Sequence, residues 1–454
     1  MKKNFNILLF FILLTQMTQT SFSQIRQESI HNLFKDDFYD QQDCNTHFCL
    51  TIADSIQKSR KQGLQNKTRA LEVYKAREYI KVKLGNIIPS LNLKIVTDPK
   101  DLLEMVPNLL GFLFPSNWYR WKESKIFSKV EELTFKNLLA NEAHTLESLY
   151  LTIHQHILLQ KFLGEHTKFL TLFYKDLEKR EEFGEVALED LEKSKSLVIE
   201  WDLKEIYLTK GLEEINNRFS QVINYGADWD SLPLKLLKLP SLNNQEELFY
   251  DDFIQSIKEM SLEIKSLKML KMASKYAKKA RMWSFLSPHG DSDSAFGFGL
   301  IGHYRIAKAK EKELDLKLSL LKLNLKETLK KVIRDHNASL AIYRKAQDGL
   351  QSIQVVLEAL VEDYNTSGQI NFGELEDTLS KTIEFKMAKV QAQHNYLRSL
   401  SKLDRLLHEG PYYQNLDSFL PPKKDHKFKF LDYRRRENKK IEKDIKKGLL
   451  PLNL

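Results

Sequence analysis

The chain has 454 residues, 29% of them charged, with 70 Lys and Arg against 61 Asp and Glu and a formal net charge of +9. Only 16 Gly and 11 Pro are present, a composition that suits long helices and argues against a many-turned β protein. The excess charge sits at the ends (Lys2 and Lys3, then 12 basic against 5 acidic residues from Pro421 on), while residues 24–420 balance at 56 basic and 56 acidic. A basic stretch of that kind reads as a solvated end and not as a nucleic-acid site.

Lys2 and Lys3 precede the apolar run Ile7–Leu14 and a small-residue exit at Ser21-Phe22-Ser23. This is the order of a secretory signal peptide, residues 1–23, and it predicts export. The run is too short to cross a bilayer as a helix, and no later segment has 18 uninterrupted apolar residues. Residues 24–49 are polar and irregular. They carry Cys44 and Cys49, which an oxidising compartment favours as a disulfide. In a continuous helix their Cα atoms would be about 8 Å apart, too far for a bridge. A turn is therefore expected there, with a helix beginning near Thr51.

From Thr51 to Ile88, Ile52, Ile56, Leu64, Leu71, Tyr74, Ile80 and Leu84 recur at helical spacing. Pro89 ends that stretch, and Ser90–Val96 alternates like a strand. Residues 90–114 are expected as a first β-hairpin, with Pro107 and Pro115 as breakers. Long helices follow over Lys122–Lys179 and from Gly184 to Ile223. Residues 225–244, with Gly226, Pro233 and Pro240, read as a linker between two structural repeats, 50–224 and 245–410. The second repeat opens with a helix over Gln245–Met282. A second hairpin is expected over 281–304, where Phe296, Phe298, Leu300 and Tyr304 would share one strand face. A long helix then reaches Asp363, and a closing helix ends at Leu407. Leucines at 314, 318, 321 and 325, and later Phe385, Ala388, Ala392 and Tyr396, form coiled-coil packing seams. Residues 411–454 form the basic C-terminal tail.

The two halves share a glycine corner with an acid six residues on: Gly184 with Asp190, and Gly368 with Glu374. With the start Pro89-Ser-Leu-Asn-Leu93 and the closing helix Ala392–Leu403, this order of elements resembles the TolC family of outer-membrane efflux and secretion channels. The resemblance covers residues 50–410. It implies a mainly α, internally duplicated subunit whose long antiparallel helices build a coiled-coil tunnel. Two short β-hairpins per subunit would contribute to a shared outer-membrane β-barrel in a homotrimer. It implies a passive duct for efflux of small molecules or type I secretion, located in the outer membrane among its lipid with a periplasmic extension. A periplasmic adaptor and an inner-membrane transporter would be its partners, with no enzyme activity, cofactor or nucleic acid. The alternative is a periplasmic coiled-coil scaffold derived from this family without a membrane pore.

Aligned on Gly368, Glu374 and Asp377 fall where the family narrows its pore with acid rings, which favour cations. The same acids, and Asp190, also read as helix N-terminal residues that complement the helix dipole. The resemblance further implies a latch at the periplasmic tip, with Asp190 and Tyr364 in matching places. Ile370 stands where the family has an arginine and cannot make its charge-assisted bond.

Other chemistry finds little support. His154 and His156 diverge by about 200° on a helix, cannot share a metal ion, and read as surface histidines. Gly297-Phe-Gly299-Leu-Ile-Gly302 imitates a dinucleotide fingerprint but lacks a preceding parallel strand and a βαβ setting.

Overall fold

The structure is a computed structural model and describes residues 50–88, 111–184, 186–224, 234–286, 298–367, 372–410 and 412–422. Eight α-helices account for most of them, and their lengths repeat. In the first half α1 (Ile52–Gln62), α2 (Leu64–Gly85), α3 (Pro115–Glu182) and α4 (Leu188–Ile223) have 11, 22, 68 and 36 residues. In the second, α5 (Tyr250–Met260), α6 (Leu262–Met282), α7 (Phe298–Ser367) and α8 (Phe372–Leu407) have 11, 21, 70 and 36. At 1.5 Å per residue, α3 and α7 are each about 100 Å long.

The joints repeat too. α1 starts at a capping box in which Thr51 Oγ1 accepts from the Asp54 N–H (3.1 Å) and Thr51 N–H donates to the Asp54 carboxylate (3.3 Å). This is the start the sequence predicts. The expected single helix then breaks at Gly63 (φ −56°, ψ 124°), and its counterpart breaks at Ser261 (φ −52°, ψ 120°). A Cβ at Gly63 would lie 2.5 Å from the Ser59 carbonyl oxygen, so the break is built around a glycine. Ser261 instead caps α6 by accepting from the Ile264 N–H (3.2 Å). At the opposite ends, α4 and α8 both stop at left-handed residues, Asn224 (φ 49°) and His408 (φ 53°). These two are 184 positions apart (408 − 224), the same offset as Gly184 and Gly368. Asn224 Nδ2 donates to the Gln62 carbonyl (3.4 Å), and the Leu262 N–H donates to His408 Nε2 (3.4 Å). Each repeat is therefore one long helix flanked by a second, interrupted one whose two pieces meet at a mid-height joint.

α3 packs against α2, α4, α6 and α8, and α7 against α5, α6 and α8. The cluster at the first joint gathers Ile56, Leu139, Leu146, Tyr150, Phe219 and Ile223. Its counterpart gathers Ile257, Ile264, Leu329, Val332, Leu403 and Leu407. Leu50 and Leu234 form a parallel β-bridge over the first cluster. Residues 412–421 also pack here through part of their length: Tyr413 and Leu416 are buried, Arg60 lies over the Phe419 ring, and Lys136 pairs with Asp417 (2.5 Å).

No β-strand occurs among the described residues. The expectation of a hairpin over 281–304 is corrected where it can be seen: α6 runs to Met282, Ser284–Leu286 is a 3-10 turn, and α7 is already helical from Phe298. Only the 15 residues 283–297 separate α6 from α7. A pair of spanning strands of about 9 residues each with a two-residue turn needs about 20. Of the first hairpin, residues 89–110 lie outside the described residues, and Gly111–Leu113 form a 3-10 turn. The alternating pattern at 298–304 lost to its continuity with the long amphipathic stretch that follows.

Along α3 and α8 the two repeats meet through a buried polar seam. His154 faces inward, 1% exposed, which corrects the surface reading, while His156 turns toward Gly211 of α4, as their divergence requires. The Leu237 N–H donates to His154 Nε2 (3.0 Å), so the ring proton sits on Nδ1 and donates to His394 Nε2 (2.8 Å). His394 Nδ1 then donates to the Val390 carbonyl (2.8 Å). All four ring nitrogens are matched only while both rings are neutral. Burial accordingly lowers His154 to about 4 and His394 to about 3. Nearby, His144 Nδ1 meets Ser401 Oγ (2.9 Å), and burial lowers it to about 4. Arg398 of α8 donates to Thr152 and Gln155 of α3, both at 2.9 Å.

In the unfolded chain these histidines titrate near 6.5. Above that pH the rings are neutral in both states and the seam contributes in full. As pH falls toward about 4 the unfolded state takes up protons first, so stability declines. Urea unfolding at pH 7 and pH 5 should show this loss. A His394→Leu variant should be about 1–3 kcal/mol less stable at pH 7 and lose less on acidification; an unchanged pH dependence would remove the pair from this role.

Candidate functional site

At the end of the bundle farthest from Pro115, the chain turns twice. α3 stops at Phe183, whose N–H donates to the Arg180 carbonyl, and Gly184 follows with φ +68°. Its N–H donates to the Glu181 carbonyl (2.8 Å), closing the helix with a left-handed residue that carries no Cβ penalty. Arg180 pairs with Asp176 one turn back (3.2 Å). Val186 turns inward, and α4 opens with Glu189 and Asp190 in its first turn.

The second corner is described from Phe372 onward, with Glu374 in the first turn of α8. Gly368 and Ile370 lie outside the described residues, as do Cys44 and Cys49; Tyr364 is placed only as part of the last turns of α7.

One hydrophobic cluster joins the corners. Leu177 of α3, Leu191 and Trp201 of α4, Leu357 of α7, and Leu375 and Leu379 of α8 are buried together. Leu191 and Leu375 each stand seven residues after their corner glycine. The repeat thus places Asp190 and Glu374, six residues after those glycines, beside equivalent buried leucines on neighbouring helix starts. Burial of such a leucine stabilises by about 1.5–3 kcal/mol, and this anchoring fixes where the acids emerge.

The acids differ in their partners. Lys193 pairs with Glu189 (2.8 Å) and reaches Asp190 (3.8 Å). Its ammonium holds the Glu189 carboxyl below the usual range. Asp377 pairs with Lys381 on its own helix. Glu374 is exposed. Exposed pairs like these are weak, so they screen the acids without locking them. Phe183 (81% exposed) and Leu188 (62%) put uncovered apolar surface at the same tip.

Below the acids the sequence reading missed a polar element. His166 is buried against Trp201, with ring centroids 5.6 Å apart, and burial lowers it to about 3. Lys386, also buried, reaches over the Phe162 ring (4.7 Å). The signal was in the spacing. His166 falls in register with Phe162, Leu170 and Phe173, as His154 does with Tyr150 and Leu158.

The tip combines a left-handed glycine with an anchored helix start. Gly184→Ala would meet open space but the wrong dihedral, costing about 1 kcal/mol. Thermal unfolding of the variant should show that small loss, and no loss would mean the corner relaxes freely.

No protein-family model and no curated protein sequence matches the chain. Solved structures do. The outer-membrane channel OprN superposes with a TM-score of 0.66 at 12% identity, over 80% of this chain and 90% of its own. The outer membrane protein VceC from Vibrio cholerae gives 0.64 at 12% identity, over 79% and 96%. The CmeC outer membrane channel of Campylobacter jejuni gives 0.63 at 13%, over 88% and 90%. Identities this low speak for fold and not for activity. In its helical body the chain has the fold of the TolC-like outer-membrane channels.

Proposed function

We propose that this chain is one subunit of a passive trimeric export duct, energised by a separate inner-membrane transporter and joined to it by a periplasmic adaptor. The observation that carries this is a set of apolar stripes left exposed among the described residues. Ile199, Leu203 and Ile206 form an exposed i, i+4, i+7 stripe on α4, with Tyr207 (72% exposed) beside it. Leu316 (72%), Leu320 and Leu323 form another on α7, and Val355 continues it toward the tip. Faces of this kind mark an interface. The α4 stripe lies 15–22 residues from its corner (199 − 184, 206 − 184), and Ile342 and Val355 of α7 lie 26 and 13 residues from theirs (368 − 342, 368 − 355). The α4 face of one copy can therefore meet the α7 face of the next at similar height. Contacts of this head-to-tail kind close into a three-membered ring when each turns the next copy by a third of a revolution. The fold shared with outer-membrane channels supports the same assembly.

At the tip, three copies of Glu374 and Asp377 around one axis would form a negative constriction that favours cations. Asp190 and Tyr364, with the corners at Gly184 and Gly368, would set its closure, weakened by Ile370 in the place of an arginine. In the membrane, the 22 residues 89–110 are numerous enough for a spanning hairpin. Three such hairpins give six strands, fewer than the eight of the smallest outer-membrane barrels. A closed pore therefore requires the opening turns of α7 to convert to strand on insertion. The cargo, small molecule or protein, is set by the partner transporter.

The duct predicts a heat-modifiable oligomer in the outer-membrane fraction that conducts ions in planar bilayers. A soluble periplasmic protein with no β signal would contradict it. Glu374→Ala should lower cation selectivity more than Asp377→Ala, because Lys381 already screens Asp377. Unchanged selectivity in the double variant would take both acids out of the pore.

A further inference from the structure

At the opposite end of the bundle, α2 ends, α3 starts, α6 ends and α7 starts. Between them lies an open cavity of about 490 Å³ whose lining includes Lys83, Arg120, Arg281 and His303, with Glu123 as its one acid. Around it the aromatic residues form a belt. Trp118 and Trp121 meet edge to face with centroids 5.9 Å apart, Tyr119 stacks on Tyr276 at 6.4 Å, and Trp283 stacks on Phe285 at 6.3 Å. Three of the five tryptophans of the chain are in this belt. Trp118 is 40% exposed, beside exposed Phe112 and Leu113.

Lysines are laid over these rings. Lys125 Nζ sits 3.6 Å from the Trp121 centroid, Lys83 4.7 Å from Tyr79, and Lys279 5.7 Å from Tyr119. The rings hold these lysine ammonium groups at the rim by cation–π attraction, and the single carboxylate of Glu123 lies among Lys83, Arg120 and Arg281, leaving an excess of cations. The packed part of the C-terminal segment ends nearby. Arg77 of α2 donates to the Pro421 carbonyl, eight residues and about 12 Å short of Gly85. The 12 Lys and Arg of residues 421–454 follow in sequence from that point.

Amphipathic rings, Trp118 exposed and Tyr119, Trp121 and Trp283 half-buried, with cations beside them are the chemistry of a membrane interface, where indole and phenol groups sit at headgroup level. Basic groups there gain from anionic headgroups. We propose that this collar seats the helical body on a bilayer surface bearing anionic phospholipid, with Trp118, Trp121 and Trp283 at headgroup depth and Lys83, Arg120 and Arg281 receiving lipid phosphates. This deepens the duct reading by naming the surface on which the body rests, and shares with it only the orientation of the bundle.

The test reconstitutes the mature chain with vesicles of phosphatidylcholine alone and with vesicles containing phosphatidylglycerol, and measures binding by flotation. The expected result is stronger binding to the phosphatidylglycerol vesicles and loss of that preference, by about tenfold or more, in a Lys83→Gln/Arg120→Gln/Arg281→Gln variant. Tryptophan fluorescence should be quenched by lipids brominated near the headgroup and not by lipids brominated near the chain end. Equal binding to both vesicles, an unchanged triple variant, or quenching from the chain end would overturn the proposal. Circular dichroism checks that the variant is folded, and Trp118→Leu/Trp283→Leu gives an independent reading by weakening binding to both vesicles. Conductance measured on the same samples separates the two ideas: binding without conductance keeps the collar and removes the duct, and conductance without charge preference does the reverse.

Discussion

Helices of 68 and 70 residues need cover along their whole length, and one interrupted neighbour each cannot supply it. α3 solves this within the chain, because α2, α4, α6 and α8 surround it. α7 and α4 do not, and their outer sides keep leucine, isoleucine and valine in water. Each exposed apolar side chain of this size forgoes about 1.5–3 kcal/mol available on burial. That demand for a second partner is the constraint on which the proposed ring of copies and its tunnel rest.

The duplication distributes the work. A single offset of 184 residues relates the corner glycines, the first-turn acids, the buried leucines behind them and the left-handed residues at the mid-height joint. The two repeats still differ where they face each other. The first has a glycine break at Gly63 and a cluster closed over by Leu234 and Tyr413; the second has a serine break at Ser261. Between them the His154–His394 pair supplies a buried seam that is matched only when neutral. The halves are thereby held in one register, since a one-turn slip would leave ring nitrogens and the Leu237 N–H unmatched.

Much of the helical architecture was legible in the sequence. The start near Thr51 followed from the turn expected around Cys44 and Cys49, the corner at Gly184 from a glycine between charged helices, and the long helices from leucine spacing. Two things were not legible. Phe298–Tyr304 alternates like a strand, yet a short alternation is outweighed when seventy residues of helix continue from it. His154 read as a surface residue because a lone histidine in a helix says nothing about what faces it; only the arrival of His394 and Leu237 from elsewhere in the chain satisfies it. At the tip, spacing located the acids but could not show that Lys193 and Lys381 attend Asp190 and Asp377 while Glu374 stands exposed.

The central claim is that the exposed stripes of α4 and α7 are covered by further copies of the same chain. Light scattering on the folded, detergent-solubilised protein measures this directly, with the protein mass separated from that of the detergent. A trimer gives a mass of three chains, and Leu203→Glu with Val355→Glu should reduce it to one while helicity is kept. A single-chain mass for the unaltered protein, at concentrations where it remains folded, would contradict it.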